Sequence, residues 1–183
     1  MRTAKRIFRL TVCAVMLIIL AVWGYNAALR YLYPMHFSTA VQKYSSMYGV
    51  EKELVYAVIK CESNFKVDAS SYAGAKGLMQ LTEETFNDVG AMLGEKDIPD
   101  FESSGTDAEI NIKYGTKYLS YLLGVFDGDK TAAIAAYNAG MGNVKKWIGE
   151  KDSLQYTEIR FNETSGYVRK VQRAESIYKK LYS

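Results

Sequence analysis

The stretch Glu51-Lys52-Glu53-Leu54-Val55-Tyr56-Ala57-Val58-Ile59-Lys60-Cys61-Glu62-Ser63 decides how the chain is read. Leu54, Val55, Val58, Ile59 and Cys61 recur at helical spacing, which predicts an amphipathic helix from about Glu51 to Ser63. Glu62 lies three and four residues beyond Ile59 and Val58, and that spacing carries its carboxylate onto or beside the apolar stripe. Desolvation there would raise its pKa. A glutamate at a helix end is more commonly a solvated charge, so Glu62 acquires meaning only from its surroundings.

Outward from this helix the chain keeps a helical period. Towards the N-terminus, Tyr31 to Phe37 contains Pro34 and no period, and reads as a short stalk. Ser38 is placed to cap a first helix marked by Ala40, Val41, Tyr44 and Met47 and stopped by Gly49. Towards the C-terminus, Asn64 to Lys76 is loop-like, and Thr82 opens a helix through Phe86, Val89, Met92 and Leu93 that ends near Gly94. Glu95 to Gly105, with Pro99, reads as a loop. Thr106-Asp107-Ala108-Glu109 has the form of a capping box. It precedes a long helix carrying Ile110, Ile112, Tyr114, Tyr118, Leu119, Leu122 and Leu123 ahead of Gly128. Asp129 is placed to cap Thr131 to Asn138, the Gly140-Met141-Gly142 turn follows, and Asn143 to Ile148 forms a short helix. Lys151 to Phe161 has no clear period and reads as extended chain or a lid. A last helix, from about Glu163 to Leu181, sets Tyr167, Val171, Ala174, Ile177, Tyr178 and Leu181 on one face. With no internal repeat, no alternating run and two prolines, the sequence predicts an all-α domain of six to eight helices.

The first 33 residues are of another kind. Leu10 to Leu29 is an apolar run broken only by Thr11, Gly24 and Asn26, and about 20 such residues suffice to span a bilayer. Trp23 and Tyr25 suit the interface, and Arg2, Lys5, Arg6 and Arg9 ahead of the run, against Arg30 behind it, place the N-terminus on the cytoplasmic side. The run reads as an uncleaved, single-pass anchor, with a cleaved signal ending near Asn26-Ala27-Ala28 as the alternative. The organisation expected is therefore an anchor over 1–33, a stalk and first helix over 34–48, and a helical domain over 49–183 on the outer side of the cell membrane.

Removing those five of the 23 basic residues leaves 18 against 20 acidic ones, so the exported part is near −2. A nucleic-acid partner calls for a basic face, and none is predicted. Cys61 is the one thiol of the exported part, so no disulfide forms within it, and Cys61 reads as a small buried hydrophobe.

Chemistry narrows by elimination. The sequence has no zinc-spaced Cys/His cluster, no phosphate-binding glycine loop and no nucleophile elbow, and its single histidine, His36, lies in the stalk. What remains is Glu62 among Gln, Asn, Ser and Tyr, a set suited to acid/base cleavage of a neutral, hydroxyl-rich substrate. Glycoside hydrolysis commonly uses two carboxylates, and the local candidate for a second is Asp68, in a loop where a turn role competes. The other route uses one carboxylate twice, first to protonate the leaving oxygen and then to deprotonate a hydroxyl of the same sugar.

Four motifs occur in order: Glu62-Ser63 at a helix end, Gly74-Ala75-Lys76-Gly77-Leu78-Met79-Gln80, Ala136-Tyr137-Asn138-Ala139-Gly140, and Glu163-Thr164-Ser165-Gly166-Tyr167-Val168. Asn111-Ile112, Gly115 and Tyr118-Leu119 fit between the second and third. Together, over about Val50 to Val171, they resemble the lytic transglycosylases (SLT domain) of the goose-type-lysozyme-like superfamily, enzymes that cut bacterial peptidoglycan. The resemblance implies a lysozyme-like helical fold and Glu62 as acid/base on the β-1,4 bond between N-acetylmuramic acid and N-acetylglucosamine, leaving a 1,6-anhydro product. It further implies that Met79 and Gln80 line the sugar cleft, that Tyr137 and Asn138 face the glutamate, that Tyr167 closes the site, and that Ser63 and Ser71 contribute to substrate binding. No metal or cofactor is implied. Two departures from the family pattern, Glu83 and Met141 where proline is frequent, alter no proposed catalytic atom. The expected partners are peptidoglycan strands and the membrane, with wall-synthesis, secretion or conjugation machinery as further candidates. A lysozyme-like hydrolase and a non-catalytic glycan-binding scaffold are the alternatives.

Overall fold

The computed structural model of the chain describes residues 2–149, 151 and 153–182; Met1, Glu150, Asp152 and Ser183 lie outside the described residues. Nine α-helices are present among them: α1 (Arg2–Leu32), α2 (Ser38–Tyr48), α3 (Lys52–Glu62), α4 (Glu83–Met92), α5 (Phe101–Ser104), α6 (Ala108–Val125), α7 (Lys130–Ala139), α8 (Met141–Ile148) and α9 (Asn162–Tyr182). No strand occurs among the described residues, only isolated bridges of Lys76 to Ser70 and to Leu81.

The helix predicted around Val58 is more deeply placed than an amphipathic stripe requires. Leu54 to Ile59 are all buried, with Leu54, Val55, Ala57, Val58 and Ile59 at 0% exposure. The reason is packing on more than one side, since α9 lies along α3 and α2 also packs against it. Truncating Leu54 or Ile59 to alanine at such a position costs about 2–5 kcal/mol. Around this axis α6 packs against α2, α4 and α7, and α7 packs against α8 and α9. A smaller cluster of Leu81, Phe86, Val89, Phe101 and Tyr114 forms a satellite core.

Several element ends differ from the sequence expectation, each for a local reason. Ser38 is the first residue of α2, and the cap position is Phe37 at φ 58° with no side-chain cap. The capping box at Thr106 does not form. Asp107 caps α6 by accepting from the Ile110 N–H, and Glu109 instead accepts from Lys43 and Tyr44. The loop after Gly94 contains α5, capped by Asp100. Gly140 alone, at φ 82°, makes the break before α8, so Met141 and Gly142 are helical. Between α8 and α9 a single 3-10 turn, Tyr156–Glu158, stands where extended chain or a lid was expected. Buried Leu154 and Ile159 hold that segment to the domain, and the Leu154 N–H donates to Asp129 Oδ2.

Helix α1 continues three residues past the expected end of the apolar run. Its segment Arg9–Leu32 is long and apolar enough to cross a membrane by length and composition, about 36 Å against a hydrocarbon core of about 30 Å. Leu17 and Trp23 are 67% and 72% exposed there.

The starts of α3 and α7 are tied to α9 by one ion network. Lys130 reaches Glu51 at 2.7 Å and Glu175 at 2.9 Å, and Lys179 pairs with the same two carboxylates. The two lysines pull the Glu51 carboxyl down to about 2, from an ordinary 4.5. A depressed carboxyl stabilises the fold above its unfolded pKa and loses that contribution as pH falls through the folded value. Stability should therefore decline between about pH 4.5 and pH 2, and Glu51→Gln should flatten that part of a denaturation-versus-pH curve. An identical acid slope in the variant would show that the network does not carry the linkage.

Candidate active site

Glu62 closes α3, and the chain then turns sharply through Asn64 at φ 51° and Phe65 at φ 66°. A left-handed backbone costs a non-glycine residue about 1–2 kcal/mol, and at Phe65 it is offset by packing. The Phe65 ring lies against Tyr56 at 6.4 Å and edge-on to His36 at 5.5 Å. Ser63 Oγ donates to Ile59 O at 3.2 Å and Leu78 O at 2.8 Å, which fastens the end of α3 to the Gly77-Leu78-Met79-Gln80 loop.

That loop is shaped from beneath by Asn111. Its Nδ2 donates to Lys76 O at 3.0 Å and Gly105 O at 2.8 Å, while its Oδ1 accepts from the Met79 N–H at 2.7 Å. The side chain is wholly buried and its amide fully used. Gly77 sits at φ +79°, and a Cβ there would lie 2.3 Å from Asn111 Nδ2 and 2.5 Å from Gly105 O. Gly115 is required for a similar reason, since a Cβ on it would meet Met79 Sδ at 2.4 Å. Met79, expected along the sugar cleft, is a core residue at 0% exposure, and its carbonyl oxygen is taken up inside the wall by Tyr137 OH. Gln80, at φ 48°, donates its amide to Ala69 O and Gly77 O, so it braces the loop as well as flanking it.

Two tyrosines complete the wall around the acid. Tyr167 OH, from α9, donates to Glu62 Oε1 at 2.5 Å. Tyr137 OH, from α7, donates to Met79 O at 2.8 Å, and its phenol lies near enough to be raised by the Glu62 charge. Both phenols are pushed well up, first by burial and then by Glu62, so they act as hydrogen-bond donors. Burial pushes the Glu62 carboxyl itself up to about 7, and the Tyr167 hydrogen bond acts the other way. Among the described residues no second carboxylate shifts it. Asn138 is exposed, and its Oδ1 accepts from Thr164 Oγ1 at 2.7 Å, which turns its amide nitrogen away from α9. Ser71 is exposed at a tight turn, its Oγ accepting from the Ala75 N–H. Asp68 is exposed in its loop. Cys61 is half-buried against the core, and burial raises its thiol to about 11, which keeps it protonated. Among the described residues no group of three or more His, Cys, Asp or Glu is placed to hold a metal.

Sequence reasoning gave no role to Asn111 or Thr164. A lone asparagine beside Ile112 and in register with Tyr114 and Tyr118 was the available signal for the first. Thr164, within the Glu163–Val168 stretch, carries no spacing signal for its bond to Asn138.

A protonatable glutamate at a helix end, walled by phenols and amides, is equipped for acid/base work. The all-α fold that carries it is of the lysozyme-like class. The model of the transglycosylase SLT domain matches residues 39–160, and the chain belongs to that family. It is 32% identical over 154 residues to the soluble lytic murein transglycosylase of Escherichia coli K12, covering 80% of this chain and 23% of the relative. It is 40% identical over 112 residues to the membrane-bound lytic murein transglycosylase C of Sodalis glossinidius, covering 57% of this chain and 31% of the relative. The crystal structure of the 70 kDa soluble lytic transglycosylase of Escherichia coli superposes with a TM-score of 0.77 at 29% identity, over 83% of this chain and 25% of that one. An inactive mutant of a lytic transglycosylase from Pseudomonas aeruginosa gives 0.73 at 29% identity, over 81% and 25%. The chain thus spans about a quarter of the length of these relatives.

Two outcomes follow from the geometry. Because the folded carboxyl of Glu62 titrates near 7 rather than 4.5, the unfolded chain releases that proton first as pH rises, and stability should fall between those values. Glu62→Gln should remove that fall in denaturant titrations, and Tyr167→Phe should move the carboxyl pKa, read by carbon NMR, further up. A Glu62 carboxyl titrating near 4.5 would contradict the assignment. Asn111→Leu leaves the Met79 N–H and Gly105 O without a partner, whereas Lys76 O keeps the Leu81 N–H, and at about 1–3 kcal/mol for each unsatisfied group the variant should lose about 2 kcal/mol or more in urea unfolding.

Proposed function

We propose that this chain is a membrane-anchored lytic transglycosylase that cleaves the β-1,4 bond between N-acetylmuramic acid and N-acetylglucosamine in peptidoglycan. The observation that carries the reading is a single half-buried acid, Glu62, raised to about 7 with no second carboxylate acting on it among the described residues. Near neutral pH such a group is divided between its two forms, which suits one residue to both halves of a reaction.

In the first half the Glu62 proton passes to the glycosidic oxygen as the bond to C1 of the muramic sugar breaks. In the second half the carboxylate removes the proton of the C6 hydroxyl of the same sugar, whose oxygen bonds to C1. The 1,6-anhydro ring forms, Glu62 is reprotonated, and no water is consumed. Acid/base work of this kind supplies about 10²–10⁴-fold. The Asn138 amide nitrogen adds a donor beside the sugar, Tyr137 and Tyr167 hold the loop and the acid in place, and a partly dry site disfavours the competing attack by water. Ser71 and Gln80 are assigned to the flanks of the glycan path. The names of the relatives, soluble and membrane-bound murein transglycosylases, support the same substrate class. The apolar segment of α1 supports a bilayer anchor, and the basic residues ahead of it support a cytoplasmic N-terminus with the domain on the cell-wall side.

Digestion of purified peptidoglycan by the full chain in detergent, followed by mass analysis, tests this reading. Muropeptides one water lighter than hydrolysis products are expected, with loss of at least about 10²-fold in rate for Glu62→Gln. Reducing-end products would assign a hydrolase instead, and undiminished cleavage by Glu62→Gln would remove the glutamate from the mechanism.

A further inference from the structure

The expected stalk is no free tether. Arg30 Nη2 donates to Leu181 O at 3.1 Å and lies over the Tyr182 ring at 5.2 Å. Tyr182 OH donates to Tyr33 O at 2.8 Å, Tyr178 OH donates to Pro34 O at 3.0 Å, and the Tyr33 ring meets Tyr178 edge-on at 5.6 Å. The end of α1 is thereby built onto α9, and His36 reaches Phe65 in the turn beyond Glu62.

A hollow of about 300 Å³ is left between these parts, lined by Tyr31, Leu32, Pro34, His36, Lys60, Asn64 and Phe65. Its place is defined, since Tyr31 and Leu32 are the last residues of the apolar helix. No acidic residue lines it. Lys60 is the cation within it, half-buried, with Nζ over the Tyr33 ring at 5.4 Å and donating to Asn64 Oδ1 at 2.5 Å. Among the described residues Lys60 forms no ion pair, unlike the half-buried Lys113 and Lys130, which each meet a carboxylate. Its position in the last turn of α3 suits the helix dipole, but a surface lysine would serve that purpose without a hollow. Burial lowers the Lys60 pKa, and its partners in the hollow, the Asn64 amide oxygen and the Tyr33 ring, are neutral. Arg30, the other cation at this level, is already engaged by α9.

We propose that this hollow is a binding site for the phosphate of an anionic lipid headgroup, held by Lys60 and flanked by Tyr31, His36 and Asn64. The proposal rests on the reading of α1 as a bilayer span. A phosphate supplies the missing counter-charge, and charge-assisted hydrogen bonds are about twice as strong as neutral ones. Because Lys60 and Asn64 flank Glu62 on the same helix and turn, the headgroup would seat the catalytic end of α3 against the membrane surface. The enzyme would then address the glycan nearest the bilayer.

The full chain in neutral detergent, titrated with phosphatidylglycerol or phosphatidylcholine and read by native mass spectrometry, tests the site. One phosphatidylglycerol should be retained in preference to phosphatidylcholine, with affinity at least about tenfold lower in Lys60→Gln and restored in Lys60→Arg. Millimolar inorganic phosphate should not displace the lipid. Equal retention of the two lipids, or by wild type and Lys60→Gln, would overturn the proposal, and displacement by inorganic phosphate would assign a free-anion site in place of a lipid one. Cleavage of detergent-solubilised glycan by the same preparation reads the enzymatic assignment separately, so failure of one does not imply failure of the other.

Discussion

The carboxyl of Glu62 is disfavoured as an anion by two effects that act together. Burial among α3, α9 and the Gly77–Gln80 loop removes water from it, and its place at the C-terminal end of α3 sets it beside the negative end of the helix dipole. Only the Tyr167 hydroxyl opposes them. The rest of the architecture serves to maintain this balance. Helix α9 must lie along α3 for Tyr167 to reach Oε1, and the loop must be drawn in by Ser63 and Asn111 for the carboxyl to be covered.

Ser63 and Asn111 show how a polar group in a core can act as a fastener. Each sits among apolar neighbours, and each is satisfied by backbone groups of a segment distant in sequence. An unmet partner at either position would cost more than the hydrogen bond itself contributes. Such contacts select one arrangement of the loop over its alternatives. Gly77 and Gly115 complete the selection by omission, because Asn111 and Met79 occupy the space that their side chains would need.

The helical order of the chain was legible because its apolar residues recur at a helical period and its breaks fall at Gly49, Gly94, Gly128 and Gly140. The helix that ends in Glu62, the cap at Asp129 and the last helix all follow from such local signals. What stayed hidden depends on contacts that have no period. The four-residue α5 is too short to show one. The all-round burial of α3 reflects the arrival of α9, more than a hundred residues later. Met79 illustrates the same limit within the site, because a motif names a residue without telling whether it ends in the cleft or in the core beneath it. The cap at Asp107 won over Thr106 because Glu109 was drawn to Lys43 and Tyr44 on α2.

The joint of Arg30, Tyr33 and Pro34 with Tyr178, Leu181 and Tyr182 has a mechanical side. Under the proposed function, a domain fixed in a bilayer and engaged on a cross-linked polymer would be loaded whenever membrane and wall move relative to each other. Because the joint hands the end of α1 directly to α9, tension from the anchor enters the domain along α9 and is shared with α3, its packing partner. Several hydrogen bonds and stacked rings set side by side would resist that pull together, where a slack tether would pass the load to α2 alone. The helix that carries Tyr167 is thus also the strut by which the domain is held.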